Sequence, residues 1–291
     1  MKNTIKINTH KNIDWTILEH ISWRSQKLYH RLLQYRLSKT ITRVAGPLYC
    51  QNHDVVQMDI SYCCDLKCID CNRNCSQAPS GDSISVQQVE KFINESIEQN
   101  RKWSLLRVMG GEPTLHPRLY KIIEVLRDYK INFSPDTTIR LETNGFSPRT
   151  AEFISKMPPD ILITNTMKTS RYQAHFAPIN VAPIDLEECK YMDYTNSCIM
   201  KQTCGLGFTP YGFDICGTGG AIARVLGFNV CRKKLPNTND MLTEQSKLLC
   251  KYCGFFWYTA GLKIKLQDRV SPTWKEAFEK YKKEKPALVL Y

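Results

Sequence analysis

The chain has 291 residues, 42% of them hydrophobic, with 40 Lys or Arg against 28 Asp or Glu for a net charge of +12. That composition excludes a disordered chain, and the length suits one large domain with an appendage. The polar, basic opening Met1–His10 is expected to carry neither a secretory signal nor a membrane span. The thirteen cysteines are therefore expected in a reducing cytoplasm, as metal ligands and not as disulfides.

Residues 13–45 place Ile17, Ile21, Leu28, Leu32, Leu33, Leu37 and Ile41 at helical spacing, with Lys and Arg between them, up to the Gly46–Pro47 break. One or two helices packed against the core are expected there. An apolar run follows at Val55, Val56, Met58 and Ile60. It opens into a loop with Cys64, Cys68 and Cys71, a C-x3-C-x2-C spacing. Three thiolates on one loop can converge on a metal centre, and soft sulfur selects zinc, copper(I) or an iron–sulfur cluster. A [4Fe–4S] cluster normally takes four cysteines, so a three-cysteine loop leaves one iron open to another ligand. Cys63 and Cys75 flank the loop at the wrong spacing to join it.

Ser85 then opens a helix, with Gln88 as its reciprocal cap and Val86, Val89, Ile93 and Ile97 on one face. A strand at Leu105–Met109 runs into Gly110-Gly111-Glu112-Pro113. The two glycines let a backbone approach a ligand closely, and the carboxylate beside them can accept from an ammonium group. A helix is expected from Pro117 through Leu126, then a strand at Thr138–Glu142 ending in Thr143-Asn144-Gly145. A helix from Ser147 to Met157, a strand at Ile161–Thr166 and a fifth strand at Asn180–Ile184 complete the alternation. Strands alternating with helices predict a parallel sheet with its ligands at the C-terminal ends of the strands.

The cysteine loop resembles the signature of the radical S-adenosylmethionine (SAM) superfamily, and Gly110-Gly111-Glu112, one β-α unit later, resembles that family's GGE motif. The resemblance implies an α/β fold, a partial (β/α)6 TIM-type barrel over about residues 51–195. It implies a [4Fe–4S] cluster on Cys64, Cys68 and Cys71 whose open iron chelates SAM. Gly110, Gly111 and Glu112 would hold the SAM amino group, with Asn144 a polar contact near the SAM site or simply part of a strand-to-helix turn. One departure is Asp70, before the third cysteine, where the family usually carries an aromatic residue that packs near the adenine.

Beyond Lys190 the composition changes. The stretch Thr209–Cys216 is expected to form a β-hairpin turning at Tyr211-Gly212, followed by Cys250-x2-Cys253 at the end of a short helix. This arrangement resembles the twitch half of the SPASM/twitch extension, which binds an auxiliary [4Fe–4S] cluster. Cys198, Cys216, Cys250 and Cys253 would be its ligands, with Cys204 the alternative to Cys198. Four such cysteines also suit a structural zinc site. By the same resemblance, Cys204 and Cys231 are candidates for a thiol that returns a hydrogen atom to a substrate radical. Arg224, Arg232, Lys233 and Lys234 could bind an anionic substrate group. The expected units are thus an N-terminal helical extension (1–50), the barrel (51–195), a twitch-like unit (196–260) and a terminal helix with tail (261–291).

The whole reading is a cytoplasmic radical SAM enzyme, served by a flavodoxin- or ferredoxin-type reductant, that oxidises or epimerises a small polar substrate such as a sugar, aminocyclitol or nucleotide-linked sugar, an anionic substrate being one option. No stable nucleic-acid partner and no membrane span are expected. Modification of a ribosomally made peptide is the alternative enzyme reading. A non-catalytic zinc or nucleic-acid-binding protein is the alternative of another class.

Overall fold

The structure is a computed structural model describing residues 28–173 and 177–291. The part of the expected helical region before residue 28 lies outside the described residues. From there, α1 spans 28–36 and α2 spans Lys39–Ala45, the break being made by Ser38, whose Oγ accepts from Ile41 N at 3.3 Å to cap the second helix. These helices pack against the C-terminal part of the chain. Leu33 and Leu37 join Tyr49 and Ala260 in a small satellite core. Asn196 Nδ2 donates to Thr42 Oγ1 at 2.6 Å, and its Oδ1 accepts from Leu48 N at 2.7 Å.

Three β-α steps and a closing strand build the centre. β1 (Val55–Asp59) is followed by the two-residue β2 (Lys67–Cys68), α3 (Val86–Glu98), β3 (Leu105–Met109), α4 (Leu119–Asn132), β4 (Thr138–Thr143), α5 (Pro148–Ser155) and β5 (Leu162–Asn165). The Ser85/Gln88 capping box at α3 forms as expected, and Ser147 caps α5 by accepting from Arg149 N. The short β6 (Tyr172–Gln173) pairs with β2. The expected fifth strand at 180–184 does not form. Pro183 starts a single 3-10 turn, Pro183–Asp185, because it offers no N–H to a ladder.

The parallel partner of β1 comes instead from further along the chain. After α6 (Met200–Thr203), β7 (Leu206–Thr209) lies beside β1, and β8 (Gly212–Asp214) returns antiparallel at the edge. The hairpin loop is Pro210-Tyr211, with Thr209 opposite Gly212, one residue earlier than expected. The result is one six-stranded, mainly parallel sheet in the order β5-β4-β3-β1-β7-β8, in keeping with a partial barrel. Residues 196–260, expected as a separate unit, thus contribute two strands to the main sheet. The remaining helices are α7 (Gly217–Leu226), α8 (Thr243–Leu249), α9 (Phe255–Thr259) and α10 (Pro272–Lys283). Trp274, Phe278 and Tyr281 bury one face of α10.

Register decides what each face carries. Val56, Leu106 and Ile139 lie side by side, as do Met58, Val108 and Leu141, and all six are fully buried with Val89, Phe92, Ile122 and Leu126 of α3 and α4. The alternate positions point to the opposite, inner face. Gln57, Arg107, Arg140 and Leu162 form one row there, and Glu142 lies beside Thr164 one step nearer the strand C-termini. The glycine-rich α7 covers the β7–β8 end of this inner face, its Gly217 against Gln57 and its Gly220 against Asp214 and Thr209.

Candidate active site

The three cysteines of the first loop follow β1 directly, so they sit at the C-terminal end of the parallel strands. The loop is fastened from several sides. Arg73 reaches back under it, and its Nε donates to both oxygens of Asp59 in β1 at 3.1 Å; both residues are buried. Gln77 Nε2 donates to Cys68 O at 2.7 Å, and Asn74 N donates to Cys71 O at 2.8 Å. Arg224 of α7 donates to the carbonyls of Ala78 (2.8 Å) and Arg73 (3.1 Å) and lies over the Tyr62 ring. It is almost fully buried. Arg224 therefore latches α7 to the loop and is not placed to meet a substrate, contrary to the expectation from its charge.

The Gly110-Gly111-Glu112 segment fits against the loop backbone. Gly111 N donates to Ser61 O at 2.7 Å and Glu112 N to Cys63 O at 2.8 Å. A Cβ on Gly110 would stand 2.4 Å from Ser61 O, and one on Gly111 2.2 Å from Cys63 O, while Gly110 has φ +138°. The close approach these glycines permit is thus to the cysteine loop itself. The Glu112 side chain is fully buried and its carboxylate is occupied by protein donors. Oε1 accepts from Thr114 N (3.0 Å), Thr114 Oγ1 (2.7 Å) and Thr143 Oγ1 (2.7 Å), and Oε2 accepts from Asn144 N (2.8 Å). It ties the end of β3 to the end of β4.

Asn144 continues that chain of contacts. Its Nδ2 donates to Asp65 Oδ1 at 2.7 Å and lies 3.9 Å from Cys64 Sγ, while its Oδ1 accepts from Phe146 N. It is both a turn residue and a contact of the cysteine loop. Asp70 supplies the other unexpected tie. Its Oδ2 accepts from Arg269 Nε at 2.6 Å, so a loop from the far end of the chain reaches the residue beside Cys71. Where the family carries an aromatic ring, this chain has an ion pair.

Burial pushes the Cys64 thiol up to about 12 and the Cys68 thiol up to about 11. The hydrogen bond from the Cys75 thiol moves Cys71 the other way, below the ordinary thiol value. Several polar atoms around the loop are buried with no partner: Asp65 Oδ2, Asp70 Oδ1 and the amide of Asn74. Native interiors rarely leave such atoms unpaired. Among the described residues no three Cys, His, Asp or Glu side chains converge on a single-ion position. A cubane sets its thiolates on separate irons, so three soft donors spread over a polar, partly unpaired loop fit a [4Fe–4S] cluster with an open iron.

The second cysteine group assembles from three places in the chain. Cys198, Cys216, Cys250 and Cys253 line one small cavity with Met200, Ile215 and Phe256. Cys250 Sγ lies 3.5 Å from Ser197 Oγ. Burial raises all four thiols, Cys198 to about 12. Cys204 is outside this cavity, partly exposed, with its Sγ 3.7 Å from Met200 Sδ. Cys231 is elsewhere again: its buried thiol donates to Asp214 Oδ1 at 3.3 Å, and burial raises both groups, Asp214 to about 7. Arg232 carries an exposed ion pair to Asp240, and Lys233 Nζ donates to the carbonyls of Tyr211 and Val289.

Sequence reasoning passed over the inner-face residues Gln57, Asp59, Arg107, Arg140 and Glu142. The available signal was their alternation. Strands of a fully covered parallel sheet are apolar nearly throughout, so charged residues at every second position mark a face that meets something polar.

Residues 58–165 match the family model described as the Radical SAM superfamily. A probable GTP 3',8-cyclase of Methanococcus maripaludis (strain C7) is 26% identical over 180 residues, covering 59% of this chain and 58% of that protein. Its counterpart in strain C6 is 33% identical over 90 residues, covering 31% of this chain and 28% of that protein. The GTP 3',8-cyclase of Aliarcobacter butzleri is 30% identical over 95 residues, covering 32% and 28%. The chain thus spans between 28% and 58% of the length of these relatives. Among solved structures, BtrN in complex with AdoMet and 2-DOIA aligns at TM-score 0.38 and 11% identity, covering 70% of this chain and 89% of that one.

Proposed function

We propose that this chain, a radical SAM superfamily enzyme, binds a [4Fe–4S] cluster through Cys64, Cys68 and Cys71 and removes a hydrogen atom from a small polar, anionic substrate. The observation that carries this reading is the fastening of the cysteine loop to Gly110-Gly111-Glu112 by two backbone hydrogen bonds at the C-terminal ends of β1 and β3. With SAM and an electron from a flavodoxin- or ferredoxin-type reductant, the cluster supplies a carbon radical able to abstract hydrogen.

The chain's own residues do the rest. Arg73, Gln77 and Arg224 hold the loop's shape. Glu112 and Asn144 fix the mouths of β3 and β4 against it. The partnerless oxygen of Asp65 lies next to a cysteine ligand and is suited to accept from the bound cofactor. The inner face below the loop, polar and partly open between β3 and β5, receives the substrate. The relatives named as GTP 3',8-cyclases make a nucleotide or phosphorylated sugar the first substrate class to assay, with oxidation or epimerisation as the reaction type. Cys198, Cys216, Cys250 and Cys253 would hold an auxiliary [4Fe–4S] cluster, with four soft, buried donors around one cavity as its support.

Iron and sulfide content with EPR on anaerobically reconstituted protein tests both assignments. The wild type is expected to hold about eight irons, and the Cys64/Cys68/Cys71→Ala variant about four. Zinc in place of iron in both would refute the radical chemistry.

A further inference from the structure

We infer that Arg140, on the inner face of β4, is the anion-recognition residue of the substrate site, and that it selects substrates bearing a phosphate or carboxylate. This deepens the reading above and rests on it for the position of the substrate.

Three arginines belong to this inner face, and two are neutralised. Arg73 is paired with Asp59. Arg107 donates through Nε and Nη2 to Glu142 Oε1 at 2.7 and 2.6 Å. Arg140 lies between Arg107 and Leu162 in the same row of the sheet. Its Nε is buried and without a partner, and no hydrogen bond or ion pair to its guanidinium is found among the described residues. A guanidinium held in a fixed direction on a strand, with its fork undirected to any protein acceptor, is a costly arrangement unless a ligand supplies the anion. The fork matches the paired oxygens of phosphate or carboxylate.

Position gives the ligand's size. Arg140 is four residues below Asn144 on the same stretch of chain, and Asn144 touches Asp65 and Cys64. At the usual rise of a strand the Cα of Arg140 lies roughly 13 Å down β4 from that of Asn144, farther than the Arg side chain itself reaches. A molecule anchored by its anion on Arg140 therefore extends by some bonds to present a carbon at the loop. The Arg107–Glu142 pair, about one-fifth exposed beside it, offers a carboxylate oxygen to hydroxyl groups on the way. A phosphorylated sugar or nucleotide meets both requirements, and an aminocyclitol, which carries no anion, does not.

Because Arg140 makes no hydrogen bond among the described residues, its replacement leaves the fold intact, which a thermal melt verifies. The test uses the full chain, reconstituted anaerobically with SAM. Binding of GTP, inorganic pyrophosphate, glucose 1-phosphate and guanosine is measured by calorimetry for wild type, R140Q and R140K. In parallel, modification of Arg140 by phenylglyoxal is mapped by mass spectrometry with and without each compound. At least one of the three anions is expected to bind and to protect Arg140, while guanosine does neither. R140Q is expected to weaken that binding 10- to 100-fold and R140K less, with iron content and SAM affinity unchanged. Anion binding equal in R140Q and wild type, or no binding and no protection by any of the three, would overturn the assignment. If the cluster or SAM fails to bind while Arg140 still captures the anion, the proposed radical function falls and this site remains.

Discussion

Replacing Glu112 distinguishes a carboxylate that builds the site from one that only waits for a ligand. Its carboxylate accepts from Thr114 N and Oγ1, Thr143 Oγ1 and Asn144 N, all with the side chain fully buried. Hydrogen bonds to a charged acceptor contribute about 1.5–3 kcal/mol each, and a buried donor left unpaired costs about 1–3 kcal/mol. The four bonds share two oxygens and one environment, so their losses do not add. We expect Glu112→Ala to cost about 3–5 kcal/mol, a large fraction of the stability of an ordinary domain. Glu112→Gln keeps one acceptor oxygen but turns an amide toward a donor, and is expected to cost about 1–3 kcal/mol. Denaturant unfolding of the metal-free protein, without SAM, is the assay. If Glu112 served only to receive a ligand, both variants would unfold with wild-type midpoints. A change below about 0.5 kcal/mol in Glu112→Ala, the size of an ordinary surface substitution, would refute the structural role.

Gly111→Ala places a Cβ 2.2 Å from Cys63 O, so the cysteine loop or the β3 end must shift; we expect reduced iron uptake at the first site with the second unaffected, seen by EPR. Cys198→Ala should remove the iron assigned to the C-terminal cavity whereas Cys204→Ala should leave it, since only Cys198 lines that cavity; equal iron in both variants would contradict the assignment. Burial raises Asp214 to about 7, so the folded state binds a proton that the unfolded state has already lost near pH 4. Its contribution is fully present below the unfolded pKa and disappears as pH rises through about 7, on the order of a few kcal/mol in all. Asp214→Asn should therefore flatten the decline in melting temperature between pH 5 and 8, and an unchanged slope would locate that decline elsewhere.

Local chemistry made much of this protein legible from its residues alone. The C-x3-C-x2-C loop, the Ser85 capping box, the Gly-Gly-Glu segment and the helix from Pro272 are short-range patterns. Each depends on neighbours a few positions away; the capping box and the terminal helix take their expected local form, while the Gly-Gly-Glu glycines close on the cysteine loop and not on a ligand. The family likeness rests on the first and third of them. Tertiary structure decided the rest, because it concerns partners distant in the chain. Only the sheet order shows that β7, more than a hundred residues after β1, is the strand beside it. Only packing shows that Arg224 spends its charge on the carbonyls of residues 73 and 78, and that Asp70 meets Arg269. The same holds for the inner face. Arg107 and Arg140 are two alternating cations in the sequence, equivalent by pattern. The register that puts Glu142 within reach of Arg107 leaves Arg140 without a carboxylate among the described residues, and that difference belongs to the folded sheet.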